Sequence, residues 1–174
     1  MRRLTSFELC LALLVVSLTI VSPASAAWPT NPAVTVPLCT ASADQFNPVG
    51  CSDGAGGAIY AWVDYRAGNA DVYAQHVSGA GLPLWTADGV VVCNAAGDQG
   101  RQSAVPQLSV VSDGSGGAYI TWEDRRTAGT TGIDVYAQRI SANGIAAWTA
   151  NGVAVTTATG NQTSPCVIPA GPNM

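Results

Sequence analysis

Asp64 with Arg66, and Asp124 with Arg126, have the residue types of an acid and a substrate-gripping cation. Both pairs sit in the same string, Trp-x-Asp-x-Arg, led by Trp62 and Trp122. An active centre is built once per protein, whereas a structural ion pair is built once per structural unit, so this recurrence points to packing. His76 is the sole histidine, and no recognisable motif places a serine or cysteine nucleophile beside it. No catalytic residue is therefore assigned. Asp53 and Asp113 head glycine-rich segments and are the candidate calcium ligands. The spacing of an EF-hand loop is missing, and turn formation accounts for the same residues, so no cofactor is expected.

The residues that recur define a tandem repeat. Asp53, Trp62, Asp64 and Arg66 return as Asp113, Trp122, Asp124 and Arg126; after a short insertion near Thr130, Asp71, Tyr73, Gln75 and Trp85 return as Asp134, Tyr136, Gln138 and Trp148. Self-similarity of this kind marks an array of like supersecondary units. Tryptophans at equivalent places are read as core, with a sugar-stacking platform as the alternative. The copies also differ in places: Tyr65 stands where the second has Arg125, and His76 where it has Arg139. Those four are the candidate ligand surface, because what varies between copies is free of the constraint that repeats.

Within a unit the pattern is that of β-structure. Gln107 to Ser112 reads as a strand, Asp113 to Gly117 as a turn whose glycines can take positive φ, and Ala118 to Glu123 as a second strand. Asp134 to Ser141 is the third strand, and the segment Ala146 to Thr157, interrupted at Asn151-Gly152, is the fourth. The second strand is apolar on both faces, with Ala58, Tyr60 and Trp62 on one and Ile59, Ala61 and Val63 on the other. Such a strand must lie between sheets. The expected fold is all-β: tandem four-stranded antiparallel blades of an incomplete β-propeller. Residues 1–26 are assigned to a signal peptide, 27–51 to a partial repeat, 52–111 to the first repeat, 112–164 to the second, and 165–174 to the start of a truncated third.

The leader follows from Arg2 and Arg3, the apolar run Leu9 to Val21, and the small-residue sequence Ala24-Ser25-Ala26. The apolar run is too short to span a bilayer, and the expectation is a secreted or cell-surface protein without a membrane span after cleavage. The chain has 7 basic and 11 acidic residues and no lysine, and its arginines form no patch that would neutralise phosphates, which excludes nucleic acid as a partner. Four cysteines follow the leader, namely Cys39, Cys51, Cys93 and Cys166, bound for an oxidising compartment. Three pairings are open, and Cys39 with Cys51 is the first choice, because the two flank one short connection.

The string D-G-x-G-G-A, then W-x-D-x-R, D-V-Y-A-Q and W-x-x-x-G-V, resembles a β-propeller-type repeat of large exported bacterial proteins. It is distantly similar to the blades of sialidase-like propellers with neuraminidase, or Asp-box, repeats. The resemblance is clearest over Ser52 to Val92 and Ser112 to Val155. It departs from the Asp-box in the long separation of Asp53 from Trp62. It implies a non-catalytic binding or interaction module, a fragment of a longer array, whose partners are further blades, another surface protein or a glycan. The alternative it implies is a piece of a sialidase-like glycoside hydrolase with its catalytic residues in other blades.

Overall fold

In the computed structural model, residues 31, 33, 35–100 and 107–169 are described. The signal-peptide assignment lies outside them, as do the first residues of the 27–51 segment and the last five of 165–174. The described residues form eight strands in two antiparallel four-stranded sheets. Sheet A holds β1 (Gln45–Ser52), β2 (Ala58–Asp64), β3 (Asp71–Val77) and β4 (Val90–Cys93) in sequential order. Sheet B repeats this with β5 (Leu108–Ser112), β6 (Ala118–Asp124), β7 (Asp134–Ile140) and β8 (Val153–Thr156). The recurring segments from Ser52 and Ser112 each begin at the end of a first strand, so each sheet takes that strand from the residues before its repeat.

The registers match strand for strand. Ala58 pairs with Val77 and Asp64 with Asp71; Ala118 pairs with Ile140 and Asp124 with Asp134. The turn between the first two strands is made by an aspartate and two glycines in both sheets. Asp113 Oδ1 accepts the Ser115 and Gly117 amides at 2.8 and 2.9 Å, while Gly114 and Gly116 take φ of 74° and 81°. The fourth strand is shorter than its apolar pattern indicates. Only Val153–Thr156 is strand, and Ala146 makes an isolated bridge to Ile140 before the chain turns at Asn151-Gly152.

The core lies between the sheets. On β2, side chains alternate, so Ile59, Ala61 and Val63 face sheet B and are fully buried. Trp122 and Ile120 of β6 face sheet A and are also fully buried, and β5 lies against both β1 and β2. Sheet B's tip completes the contact: Trp85 Nε1 donates to the Ala142 carbonyl at 2.9 Å.

The Cys39–Cys51 disulfide is not formed, and all four described cysteines are free. Cys39 Sγ lies 3.9 Å from Asp64 at the end of β2, whereas Cys51 pairs with Ile59. Those anchors lie five steps apart along β2, roughly 16 Å at the rise of a β-strand. A disulfide needs Cα atoms within about 7 Å.

One glycine is fixed by both conformation and space. Gly152 has φ +82°, and a Cβ there would stand 2.5 Å from the Trp122 ring and 2.6 Å from the Ala137 carbonyl. Gly54 has φ +78° but nothing within 4 Å. Gly54→Ala is therefore expected to cost about 1 kcal/mol, from backbone strain alone. Gly152→Ala adds a steric clash and should cost about 3 kcal/mol, read as the difference in urea midpoints. Equal losses at the two positions would contradict this packing.

Candidate functional site

The Trp-x-Asp-x-Arg string builds the same cluster in both sheets. Asp64 is buried at the end of β2 and accepts Trp62 Nε1 at 2.9 Å, while Arg66 donates from Nε to Oδ1 at 2.9 Å and from Nη2 to Oδ2 at 2.6 Å. Arg66 Nη2 also meets the Asp88 carbonyl at 2.9 Å and Cys39 Sγ at 3.0 Å, and its guanidinium lies 4.0 Å over the Tyr73 ring. In sheet B, Asp124 accepts Trp122 at 2.8 Å and Arg126 at 2.6 Å. Arg126 reaches the Asn151 carbonyl at 2.9 Å and Cys93 Sγ at 3.2 Å, and lies 3.8 Å over Tyr136. In both clusters Nε and Nη2 carry the fork's bonds, to carboxylate, carbonyl and thiol, which ties each arginine into the surrounding packing.

The cluster also joins one sheet to the next. Cys93 ends β4 of sheet A, yet its thiol sits in the Asp124–Arg126 cluster of sheet B, where burial pushes its pKa up to about 12 and keeps it protonated. The connection after it is clasped as well. Asn94 N–H donates to Asn151 Oδ1, and Arg125 N–H donates to the Asp98 carbonyl. Residues 39–44 hold sheet A identically: Cys39 enters the Asp64–Arg66 cluster, Thr40 N–H donates to Asp88 Oδ1, and Tyr65 N–H donates to the Asp44 carbonyl.

The recurring glutamines are also bonded. Gln75 Nε2 donates to the Thr86 carbonyl while its Oε1 accepts the Trp85 and His76 amides; Gln138 does the same with Thr149, Trp148 and Arg139. Asp134 accepts the hydroxyls of Thr127 and Thr131. Asp71 has only the Asn69 amide, at 2.8 Å, and burial raises its carboxyl to about 6 despite that bond.

The four candidate surface residues separate by sheet. Tyr65 meets Phe46 edge-on and packs against the core. His76 is buried, with Nε2 at 2.8 Å from Asp53 Oδ2 and its ring against Trp85. The His76 bond, together with two backbone amides, holds the Asp53 carboxyl below its ordinary value. Arg139 replaces His76 in sheet B and binds Asp113 Oδ2 through Nε and Nη2 at 2.9 and 2.7 Å. Burial pushes the Asp113 carboxyl up, but Arg139 and two backbone amides outweigh it and the net shift is downward. The oxygens of Asp53 and Asp113 are thus occupied within the turns. Among the described residues, no group of three His, Cys, Asp or Glu side chains converges as a metal-ligand set.

Arg125 and Arg139 belong to the face of sheet B that points away from sheet A. Reading along β6, that face carries Tyr119, Thr121 and Glu123 where sheet A has Ile59, Ala61 and Val63. Arg125 Nη2 lies 3.6 Å from Glu123 Oε2, and Ser164 N–H donates to Glu123 Oε1 at 2.9 Å. Tyr119 contacts Trp148 at 5.8 Å between rings, with the Arg139 guanidinium 5.7 Å from its own ring. A cavity of about 420 Å³ opens here, lined by Val111, Asp113, Tyr119, Ile168 and Pro169 among others. The substitutions along β6 are visible when the two copies are aligned, but Glu123 and Thr121 escape notice until the strand's faces are assigned.

No family model, curated protein or solved structure matches this chain. Among the described residues, no helix is long and apolar enough to cross a membrane.

Two tests separate structural from chemical roles. Removing Arg126 leaves the buried Asp124 carboxylate without its cation, so Arg126→Ala is expected to cost about 3–5 kcal/mol in denaturant unfolding. A loss under about 1 kcal/mol would mark the pair as dispensable. Asp71 gives a pH signature. Its folded pKa lies above the ordinary carboxyl value, so its stabilising contribution is full below about pH 4 and falls as pH rises through about 6. Asp71→Asn should match wild type in melting temperature near pH 4 and exceed it near pH 7.5. The reverse order would refute the raised carboxyl.

Proposed function

We propose that this chain is an exported, non-catalytic repeat module of the β-propeller type. It is a section of a longer array of stacked sheets, and its exposed surface binds a cell-surface protein or a glycan. The observation that carries this reading is the duplicated use of charge. Asp64 and Arg66 make the same bonds to tryptophan, cysteine, tyrosine ring and turn carbonyl as Asp124 and Arg126. Groups locked twice into identical packing serve the stacking of units, and binding falls to what differs between them. In sheet B those differing residues lie on an open face that joins an aromatic pair to an arginine held by a carboxylate. Aromatic rings with a fixed polar rim suit the apolar face and hydroxyl edge of a sugar, and equally the side chains of a protein partner.

The mature chain, residues 27–174, is expected to retain ligands on a glycan array or in a pull-down from a bacterial cell-surface fraction, and to release them when Tyr119 and Arg139 are replaced by alanine. Turnover of glycoside substrates by the purified chain would overturn the non-catalytic reading.

A further inference from the structure

The junction between sheets A and B is a template for what sheet B's open face lacks. On sheet A, Trp85 is 8% exposed and Val92 2%, because sheet B covers them. Their counterparts on sheet B, Trp148 and Val155, are 39% and 61% exposed. Trp85 Nε1 is bonded to the hairpin at Ala142, whose own neighbour Gly144 leaves 2.8 Å between a would-be Cβ and the Trp85 ring. The connection that leaves sheet B is also already shaped. Gln162 Nε2 donates to the Ala158 and Gly160 carbonyls, as Gln99 does to those of Ala96 and Gly97. Gln162 N–H donates to the Ile133 carbonyl, as Gln99 N–H does to that of Ala70. In the earlier copy that connection reaches the next sheet, where Gln99 bridges to Asp124 and Gly100 N–H donates to the Glu123 carbonyl.

A second copy of this chain does not fit the vacancy. The places on sheet A that an incoming connection would take are filled by the chain's own Cys39 and Thr40. Glu123 is the other obstacle. Its counterpart Val63 faces Gly100 and Leu108 across the junction, at 3.1 Å from a would-be Cβ on Gly100. A carboxylate in such an apolar contact would be buried without compensation. On sheet B the following segment, 163–169, meets this face through polar bonds instead: Ser164 N–H to Glu123 Oε1, and Val167 N–H to Ser109 Oγ at 3.1 Å. Among the described residues, Gln107 Oε1, Thr121 Oγ1 and Glu123 Oε2 on the same side are buried without a hydrogen-bond partner, Glu123 Oε2 having only the Arg125 guanidinium at 3.6 Å.

We propose that the open face of sheet B seats one further four-stranded sheet of this repeat type, and that Thr121, Glu123 and Arg125 select one whose facing strands offer hydrogen-bond donors. This rests on the array reading above and adds the identity of the neighbour. The outer strand side, with Trp148 and Val155, supplies apolar adhesion that any such sheet would satisfy. Thr121, Glu123 and Arg125 supply the discrimination, since an apolar neighbour leaves the buried oxygens on this side unmet.

The test uses the full chain extended after Gln162 by a copy of residues 100–162, made in two forms. One keeps Thr121, Glu123 and Arg125 in the original sheet B; the other carries Thr121→Ala, Glu123→Val and Arg125→Tyr there, recreating the face of sheet A. Fluorotryptophan labelling gives each indole its own NMR line, and iodide quenching is read at Trp148, with Trp85 as the internal standard of a folded junction. In the substituted form, Trp148 is expected to become as protected as Trp85; in the unsubstituted form it should stay as accessible as in the unextended chain. Protection equal in both forms would overturn selection by these residues while leaving the array reading intact. Accessible Trp148 in both, with Trp85 still protected, would overturn the docking face and the array reading together.

Discussion

The buried carboxylate–guanidinium pair, Asp64–Arg66 and again Asp124–Arg126, is the constraint on which the rest depends. Each aspartate is sealed from water at the end of the second strand, and a charge in that position survives only with its cation in place. The guanidinium in turn needs acceptors for its remaining donors, and it finds the carbonyl of Asp88 or Asn151 in the turn before the fourth strand. That requirement ties strand two to the turn between strands three and four. It also explains why the turn residue tolerates positive φ, at 62° for Asp88 and 64° for Asn151: aspartate and asparagine adopt that region more readily than other non-glycine residues.

The same pair organises the contact between sheets. The cysteine that ends one sheet enters the cluster of the next, and the chain then wraps around the loop after the second strand before pairing begins. Gln99 shows the economy of this arrangement, bridging to Asp124 while its amide folds the connection on itself. Sheet order and connection are therefore set by one set of polar contacts, and the apolar filling between sheets follows. Ile59, Ala61 and Val63 have no other way to leave water than to meet the tryptophan face of the neighbouring sheet.

Much of this was legible in the sequence, and for identifiable reasons. The all-β class, the four strands per unit and the glycine turns follow from alternation and from residues with strong local preferences. The structural role of Asp64 and Arg66 follows from their repetition. The cysteine pairing did not follow, because proximity along the chain says nothing about which end of a strand each residue reaches; Cys39 meets the Asp64 end of β2 and Cys51 the Ile59 end. The fourth strand was over-extended for a related reason. Ala146 and Trp148 lie where the chain closes a hairpin, and the amides there, of Ala147 and Trp148, go to the Arg139 carbonyl and the Gln138 side chain instead of a ladder.

The candidate surface was half legible. Differences between copies flag Tyr65, His76, Arg125 and Arg139 without saying which side of which sheet each occupies. Once the sheets are stacked, His76 is buried and Tyr65 half-buried between them, while Arg125 and Arg139, also half-buried, lie on the face of sheet B that points away from sheet A. The distinction has a physical origin in neighbour count. Sheet A is covered by sheet B, so its variable positions are filled to suit that one interface, with His76 bonded to Asp53 and set against Trp85. In sheet B the arginine at the equivalent position holds Asp113 in the turn as His76 holds Asp53, while leaving its guanidinium beside Tyr119. The two copies thus keep the bonds among tryptophan, aspartate, arginine and tyrosine constant while the outward face of the second strand changes, most sharply where Glu123 stands in place of Val63.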